Sequence, residues 1–376
     1  MNQISIAQGD FTLNRFPLRK NETLQAWDAA DEYLLQHLCE EISNGTRVLI
    51  INDNFGALTV ALHSFNPTVQ TDSYLSYQGI LENLATNNLD SGNITLLNSM
   101  EPFEGIFDIV IIKAPRSNTY LEDILCKIQP HITPKTRIIS SAMARNIHTN
   151  TLKIFENLLG ETTTSLARKK ARLIFSSFTK DKITEAPAPK CFVLDIDNTE
   201  LNICNLANVF SREKLDIGTR FFLENLPHSE SNKTIIDLGC GNGVLGIVAA
   251  RQHPDAKLIF TDESYMAIAS AKLNFAAAFN DKREAAFFTS DCLEDIEPDS
   301  IDLILCNPPF HQNTVEGDHV AWQMFNEAHT ALKKDGQFWI VGNHHLAYHA
   351  KLKTIFGGYK VVASNKKFAI MFSRKT

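Results

Sequence analysis

Short apolar runs alternate with longer amphipathic stretches along this chain, a pattern that predicts buried strands separated by helices. In the second half Thr234 to Leu238, Lys257 to Thr261, Ala285 to Thr289 and Ile301 to Cys306 read as strands, and Val244 to Arg251 as a helix. Runs this apolar suit a mostly parallel sheet covered on both faces. The first half repeats the order. Leu49 to Ile51 leads into Asn52-Asp53-Asn54-Phe55-Gly56, then come Thr71-Asp72-Ser73-Tyr74 and Phe107 to Ile112, which runs into Lys113-Ala114-Pro115-Arg116. The ends also correspond: Gly160 to Lys180 and Gly357 to Lys375 each read as two strands around a basic turn, which predicts an antiparallel final strand. The lead-ins Leu24 to Leu38 and Leu215 to Leu226 resemble each other too. Self-similarity at so long a period predicts two tandem copies of one α/β domain rather than a solenoid. The copies are placed at residues 1–185 and 190–376, divided by the extended stretch Thr184-Glu185-Ala186-Pro187-Ala188-Pro189. A hairpin is expected next, Cys191 to Leu194 and Leu201 to Leu206 around Asp197-Asn198.

The loops that follow the second copy's strands carry the candidate chemistry. Thr234 to Gly246 reads TIIDLGCGNGVLG, a strand running into a glycine-rich turn that opens a helix. Gly239, Gly241 and Gly243 allow a tight turn and close approach to a ligand where a Cβ would clash. Such a loop alone also fits a dinucleotide. The acid Asp237 before the first glycine, the Asp-x-Gly-x-Gly-x-Gly spacing and the lack of a basic residue within the run favour S-adenosylmethionine. The next strand ends in Asp262-Glu263, where an acid can grip a ribose diol. The third ends in Ser290-Asp291-Cys292; Asp291 reads equally as an acceptor for an adenine amino group or as a helix cap before Leu293. The fourth ends in Asn307-Pro308-Pro309-Phe310, at the edge where open α/β sheets bind ligands. A planar conjugated amine is a poor nucleophile because its lone pair is delocalised. Two acceptors, the Asn307 side-chain oxygen and the Pro308 carbonyl, can take its two protons and draw it toward tetrahedral geometry. The prolines stiffen the loop through fixed φ, and Phe310 offers a face on which a flipped base can stack.

These pieces occur in one order at α/β spacing, and from Asn208 onward the chain resembles the class I S-adenosylmethionine-dependent methyltransferases. Within them it is similar to the RsmC/RlmG family of ribosomal RNA guanine-N(2) methyltransferases, through NVFSREKLDIGTRFFLENL (Asn208 to Leu226), IDLGCGNGVLG and NPPFH. The resemblance implies that Asp237, Gly239, Gly241, Asp262 and Asp291 hold the cofactor. It implies that Asn307, Pro308 and Phe310 hold the target amine; His311, next in the motif, reads more readily as a local hydrogen-bonding residue than as a base and is carried as a candidate contact to the RNA. The large-subunit branch, acting on 23S rRNA, fits over nearly the full length, including LQAWDAADEYLLQ and KKARL in the first half. A 16S enzyme and a non-catalytic rRNA-binding or assembly protein are the alternatives. Loops of this type also serve adenine amino groups and glutamine amides, and a nicotinamide-dependent oxidoreductase is a further alternative.

The first copy lacks this chemistry. Asn52, Asp53 and Asn54 stand for Gly239, Cys240 and Gly241, and Lys113 and Arg116 for Asn307 and Phe310, so residues 1–185 read as a degenerate, non-catalytic copy. The family resemblance gives that copy a role in gripping RNA. Net charge is −7, but nucleic-acid affinity depends on local patches. From Lys135 to Lys182 basic residues outnumber acidic ones, and Arg168-Lys169-Lys170 and Lys366-Lys367 fall in corresponding turns. The 376 residues, 44% hydrophobic, suffice for two cores. Seven scattered cysteines without a C-x-x-C pair argue against a metal site or disulfide framework and for a reducing cytoplasm. No signal peptide or membrane span is evident, and a monomer is the default expectation.

Overall fold

A computed structural model describes residues 2–19, 22–39, 42–43, 45–196, 199–227, 233–309 and 315–376, with the backbone alone for 315–318. Phe310, His311, Asp197 and Asn198 lie outside the described residues. The chain divides into two compact units, Met1–Ala188 and Pro189–Thr376.

In the first unit β1 (Gln3–Ile6) and β2 (Gly9–Thr12) form a separate hairpin. Helix α1 (Ala29–Leu38) starts at Asp28, whose carboxylate accepts from the Ala30 and Asp31 N–H groups while Asp31 accepts from the Asp28 N–H. There follow β3 (Val48–Ile51), α2 (Ala57–Ala61), β4 (Thr68–Thr71), α3 (Tyr74–Thr86), β5 (Thr95–Asn98), β6 (Ile109–Lys113), α4 (Asn118–Ile128), β7 (Arg137–Met143), α5 (Thr149–Leu158), β8 (Thr162–Thr164) and β9 (Ala171–Ser176). The seven strands β3 to β9 make one sheet in the order β5-β4-β3-β6-β7-β9-β8, with β9 antiparallel to both neighbours and the rest parallel. Every residue of β3 and β6 is buried, which is why these strands read as unbroken apolar runs.

The second unit opens with the hairpin β10 (Lys190–Ile196) and β11 (Thr199–Asn205) and helix α6 (Ile217–Leu223). Then come β12 (Thr234–Leu238), α7 (Val244–Gln252), β13 (Lys257–Asp262), α8 (Tyr265–Phe279), β14 (Ala286–Thr289), β15 (Ile301–Cys306), α9 (Val315–Ala331), β16 (Leu332–Asn343), α10 (Tyr348–Phe356), β17 (Lys360–Ser364) and β18 (Phe368–Arg374). The sheet order is β14-β13-β12-β15-β16-β18-β17, with β18 antiparallel to both its neighbours, the same topology as the first unit. Period-2 alternation splits the core between the two faces. Ile235, Leu303 and Leu305 pack with α7 and α8, whereas Ile236, Ile304 and Cys306 pack with α9 and α10. The fold is thus two tandem Rossmann-like α/β units, as the repeat indicated.

The strand order reverses between β12 and its neighbours β13 and β15, and the crevice at the carboxyl ends of such strands is where open sheets take ligands. Leu238 pairs with Cys306 in register, so the glycine loop and Asn307 leave the sheet side by side.

One sequence reading needs correction, and the strand register decides a correspondence between the copies. Cys191 and Cys204 are bonded, because the β10–β11 register sets them directly opposite with Cα atoms 4.0 Å apart. The first-unit counterpart of Asp262 is Thr71 rather than Asp72. Ile51 pairs with Gln70 as Leu238 pairs with Thr261, and Ser73 and Ser264 both cap the following helix. Asp72 therefore matches Glu263; it is buried and accepts from the Ser99 hydroxyl at 2.5 Å.

Candidate active site

The glycine loop is built from backbone that only glycine adopts easily. Gly239, Gly241 and Gly243 have φ of 67°, 54° and 79°. The Gly239 and Cys240 N–H groups donate to the Thr261 carbonyl at 2.8 and 3.0 Å, anchoring the turn to β13. A Cβ on Gly241 would meet nothing within 4 Å, so this glycine faces open space where a ligand can approach the backbone. Gly246 has a different reason to lack a side chain, one the motif did not signal: a Cβ there would strike the Phe260 ring and come within 3.0 Å of the Asp237 Cβ. Its absence lets α7 sit close against β12 and β13.

Asp237 acts on the protein rather than facing outward. It is buried, and its Oδ2 accepts the Gly246 N–H at 2.8 Å, tying β12 to the first turn of α7. Burial raises its carboxyl to about 8; the Gly246 N–H pulls the other way and the Asp262 charge adds to the rise. The folded protein keeps this proton well above the pH, near 4, at which an unfolded chain releases it. The contribution to stability is therefore full at low pH and is lost as pH rises from roughly 4 to 8. Asp237→Asn keeps an acceptor for Gly246 and should flatten the dependence of melting temperature on pH over that window. Parallel slopes for the two proteins would show that Asp237 ionises normally.

Asp262, at the end of β13, is half-buried. Its Oδ2 accepts the Gly241 N–H at 2.8 Å and its Oδ1 the Ser264 N–H at 3.0 Å, so one carboxylate joins the glycine loop to the start of α8. Asp291 is buried beyond β14, and its N–H donates to the Glu294 carboxylate at 3.3 Å. The helix-cap reading fails: no helix begins there, and the Leu293 N–H goes instead to Glu327 of α9 at 2.8 Å. Burial raises the carboxyl of Glu327, opposed by that bond and by one from Gln323.

Asn307 leaves the sheet beside this loop, half-buried, and is followed by buried Pro308 and exposed Pro309. Its Nδ2 donates to the Thr219 hydroxyl at 2.9 Å. Its Oδ1 is shielded from solvent and has no partner among the described residues. A buried acceptor left without a bond costs about 1–3 kcal/mol, a cost that an N–H group of a ligand entering beside the glycine loop would remove. Thr219 lies in the first turn of α6, where its N–H donates to the capping Asp216 at 2.9 Å. The buried thiols of Cys240 and Cys306 flank the site. Burial raises both well above the ordinary value, so neither is a thiolate nucleophile at neutral pH.

The corresponding place in the first unit is filled. Asn52, in the left-handed conformation of Gly239 with φ 66°, donates its Nδ2 to the Lys113 carbonyl at 3.0 Å. Asp53 is buried and accepts both the N–H and the hydroxyl of Thr59 at 2.8 Å. Lys113 ends β6, one residue past the Ile51–Ile112 pair as Asn307 is one past Leu238–Cys306, and is buried with its ammonium 2.7 Å from Asp31 and 3.6 Å from Asp28. Arg168, Lys169 and Lys170 are exposed at the β8–β9 turn, with Arg168 over the Tyr33 ring and Lys169 paired to Glu32 at 2.6 Å. Among the described residues, no group of three or more His, Cys, Asp or Glu could hold a metal, and no helix is long and apolar enough to cross a membrane.

Residues 1–180 match the RLMG N-terminal domain and residues 200–372 the methyltransferase small domain. The chain is 47% identical to the ribosomal RNA large subunit methyltransferase G of Colwellia psychrerythraea over 95% of both chains. It is 46% identical to that of Klebsiella pneumoniae, covering 100% of this chain and 99% of the relative. A solved 16S rRNA N2 methyltransferase (RsmC) of T. thermophilus, in complex with AdoMet and guanosine, superposes with TM-score 0.78 at 19% identity, covering 100% of this chain and 97% of that one. Identity near one half over the whole length settles the relationship: the chain belongs to the ribosomal RNA large subunit methyltransferase G family.

Proposed function

We propose that the second unit transfers a methyl group from S-adenosylmethionine to the exocyclic 2-amino group of a guanine in 23S rRNA. The observation that carries this reading is the Oδ1 of Asn307, buried and without a partner among the described residues, beside a glycine loop with open space at Gly241. The residues present fit the cofactor. Gly239 and Gly241 leave the backbone bare for it, the half-buried Asp262 carboxylate would accept from a ribose diol, and Asp291 lies beyond the next strand. S-Adenosylmethionine supplies the methyl on a sulfonium, already activated for displacement.

The chain's task is to make the amine a nucleophile. Asn307 Oδ1 and the Pro308 carbonyl accept its two N–H bonds, and these bonds improve as nitrogen becomes tetrahedral, so they favour the transition state over the ground state. Phe310 supplies a stacking face for the flipped base. The methylated amine is strongly acidic and loses its proton to water, so no side chain must act as base. The names and substrates of the relatives support ribosomal RNA of the large subunit as the target. Incubating the purified protein with methyl-labelled S-adenosylmethionine and separated 23S and 16S rRNA, followed by digestion to nucleosides, should put label in N2-methylguanosine from 23S rRNA. Label in 16S rRNA alone, or in methyladenosine, would overturn the assignment.

The first unit serves in this proposal as the RNA grip, supported by its basic β8–β9 turn. Each phosphate contact on a single strand adds about −0.7 to the slope of log K against log salt. Replacing Arg168, Lys169 and Lys170 by Ala should flatten that slope by roughly two units without altering cofactor affinity. An unchanged slope would reduce this unit to a support and move the RNA surface elsewhere.

A further inference from the structure

We infer that Asp216 and Thr219 set which end of the Asn307 amide faces the substrate, and so decide that the site accepts an amine. This rests on the methyl-transfer reading above. An amide side chain is nearly symmetric in shape and opposite in polarity at its two ends, so the NPPF loop alone does not fix its direction. Thr219 does. Its hydroxyl lies 3.4 Å from Asp216 Oδ2, a long contact, but the only acceptor for that proton among the described residues. With the proton turned toward the carboxylate, the hydroxyl presents a lone pair to Asn307. Only the Nδ2 end can answer, and it does so at 2.9 Å. Oδ1 is thereby left pointing away from Thr219, without a partner among the described residues. An N–H donor is welcome there, whereas a keto oxygen would face another acceptor.

The first unit supports this independently, because it rebuilds the same joint with a different pairing. Asp28 and Asp216 are both helix caps; Asp31 and Thr219 each stand three residues on; Lys113 and Asn307 each come one residue after the equivalent pairs Ile51–Ile112 and Leu238–Cys306. Where the strand-end residue is Asn the helix offers a hydroxyl, and where it is Lys the helix offers a buried carboxylate at 2.7 Å. The helix residue thus matches the polarity of the group it holds. In the second unit the match leaves an acceptor free; in the first it consumes the ammonium.

Thr219→Val and Thr219→Ser test this in the full-length protein. Losing one orienting hydrogen bond should lower kcat on the order of tenfold in the Val variant, while the S-adenosylmethionine Kd stays within twofold. The Ser variant, which keeps the hydroxyl, should recover most of the rate. The Asn307 side-chain amide resonance, assigned by its loss in Asn307→Asp, reads the orientation without turnover. It should be protected from exchange in the wild type and the Ser variant and exposed in the Val variant. An unchanged resonance in Thr219→Val, a rate equal to wild type, or no recovery with Ser would overturn the role of Thr219. A protein with the expected resonances that methylates no rRNA would leave the orientation standing and sink the functional reading instead.

Discussion

Asn307→Ala is expected to lower kcat about a hundredfold while S-adenosylmethionine affinity stays nearly intact. Asn307 is bonded to Thr219 rather than to the glycine loop, so its loss removes an acceptor for the amine and leaves the cofactor's cradle unaltered. One preorganised partner that strengthens toward the transition state is worth roughly 3 kcal/mol, which corresponds to about two decades in rate. Because the interaction forms fully only as the nitrogen becomes tetrahedral, the loss belongs in kcat and kcat/KM alike rather than in KM. Single-turnover measurements with saturating rRNA would isolate the step. Activity within twofold of wild type would remove Asn307 from the mechanism.

The second large effect is expected at Asp262. Its carboxylate holds two backbone N–H groups, of Gly241 and Ser264, and is the proposed ribose acceptor, so Asp262→Ala disrupts loop and ligand together. Hydrogen bonds to a charged group are worth about 1.5–3 kcal/mol each, enough to move cofactor affinity beyond calorimetric detection. In the first unit Thr71 occupies this position, its hydroxyl accepting the Ser73 N–H at 3.2 Å in place of the bond to Asp262. With no acid there, and with Asn52 bonded across to Lys113, that unit should bind no cofactor. Titration calorimetry should find one site per chain, abolished by Asp262→Ala and unaffected by Thr71→Ala or Asp72→Ala. Two sites, or sensitivity to either first-unit change, would show the first unit to be functional.

Much of this architecture is legible because its central strands are buried on both faces. Thr234–Leu238 and Ile301–Cys306 coincide with the apolar runs that announced them, bounded by glycine on one side and by Asn-Pro-Pro on the other. The repeat was legible for the same reason. Side-chain partners across long separations were not: Thr219 meets Asn307 over 88 residues and Leu293 meets Glu327 over 34, and neither motif contains a trace of its partner. Aligning the two copies could have found Thr219, since Asp28-x-x-Asp31 and Asp216-x-x-Thr219 occupy matching caps. Which first-unit residue answers to Asp262 was not legible either, because Thr71 to the Ser73 cap is one residue shorter than Thr261 to the Ser264 cap, and strand register alone sets Thr71 in that place. The Cys191–Cys204 pair was within reach, because counting outward from the Ile196–Thr199 pair sets the two opposite each other.

The central claim is that this chain methylates the 2-amino group of a guanine in the large-subunit RNA through Asn307. Mass spectrometry of rRNA nucleotides from a strain lacking the protein, complemented with either the wild type or Asn307→Ala, tests it directly. One N2-methylguanosine should vanish from 23S rRNA on deletion, return with the wild type and stay largely absent with the variant. A 23S rRNA unchanged by the deletion, or full restoration by Asn307→Ala, would contradict it.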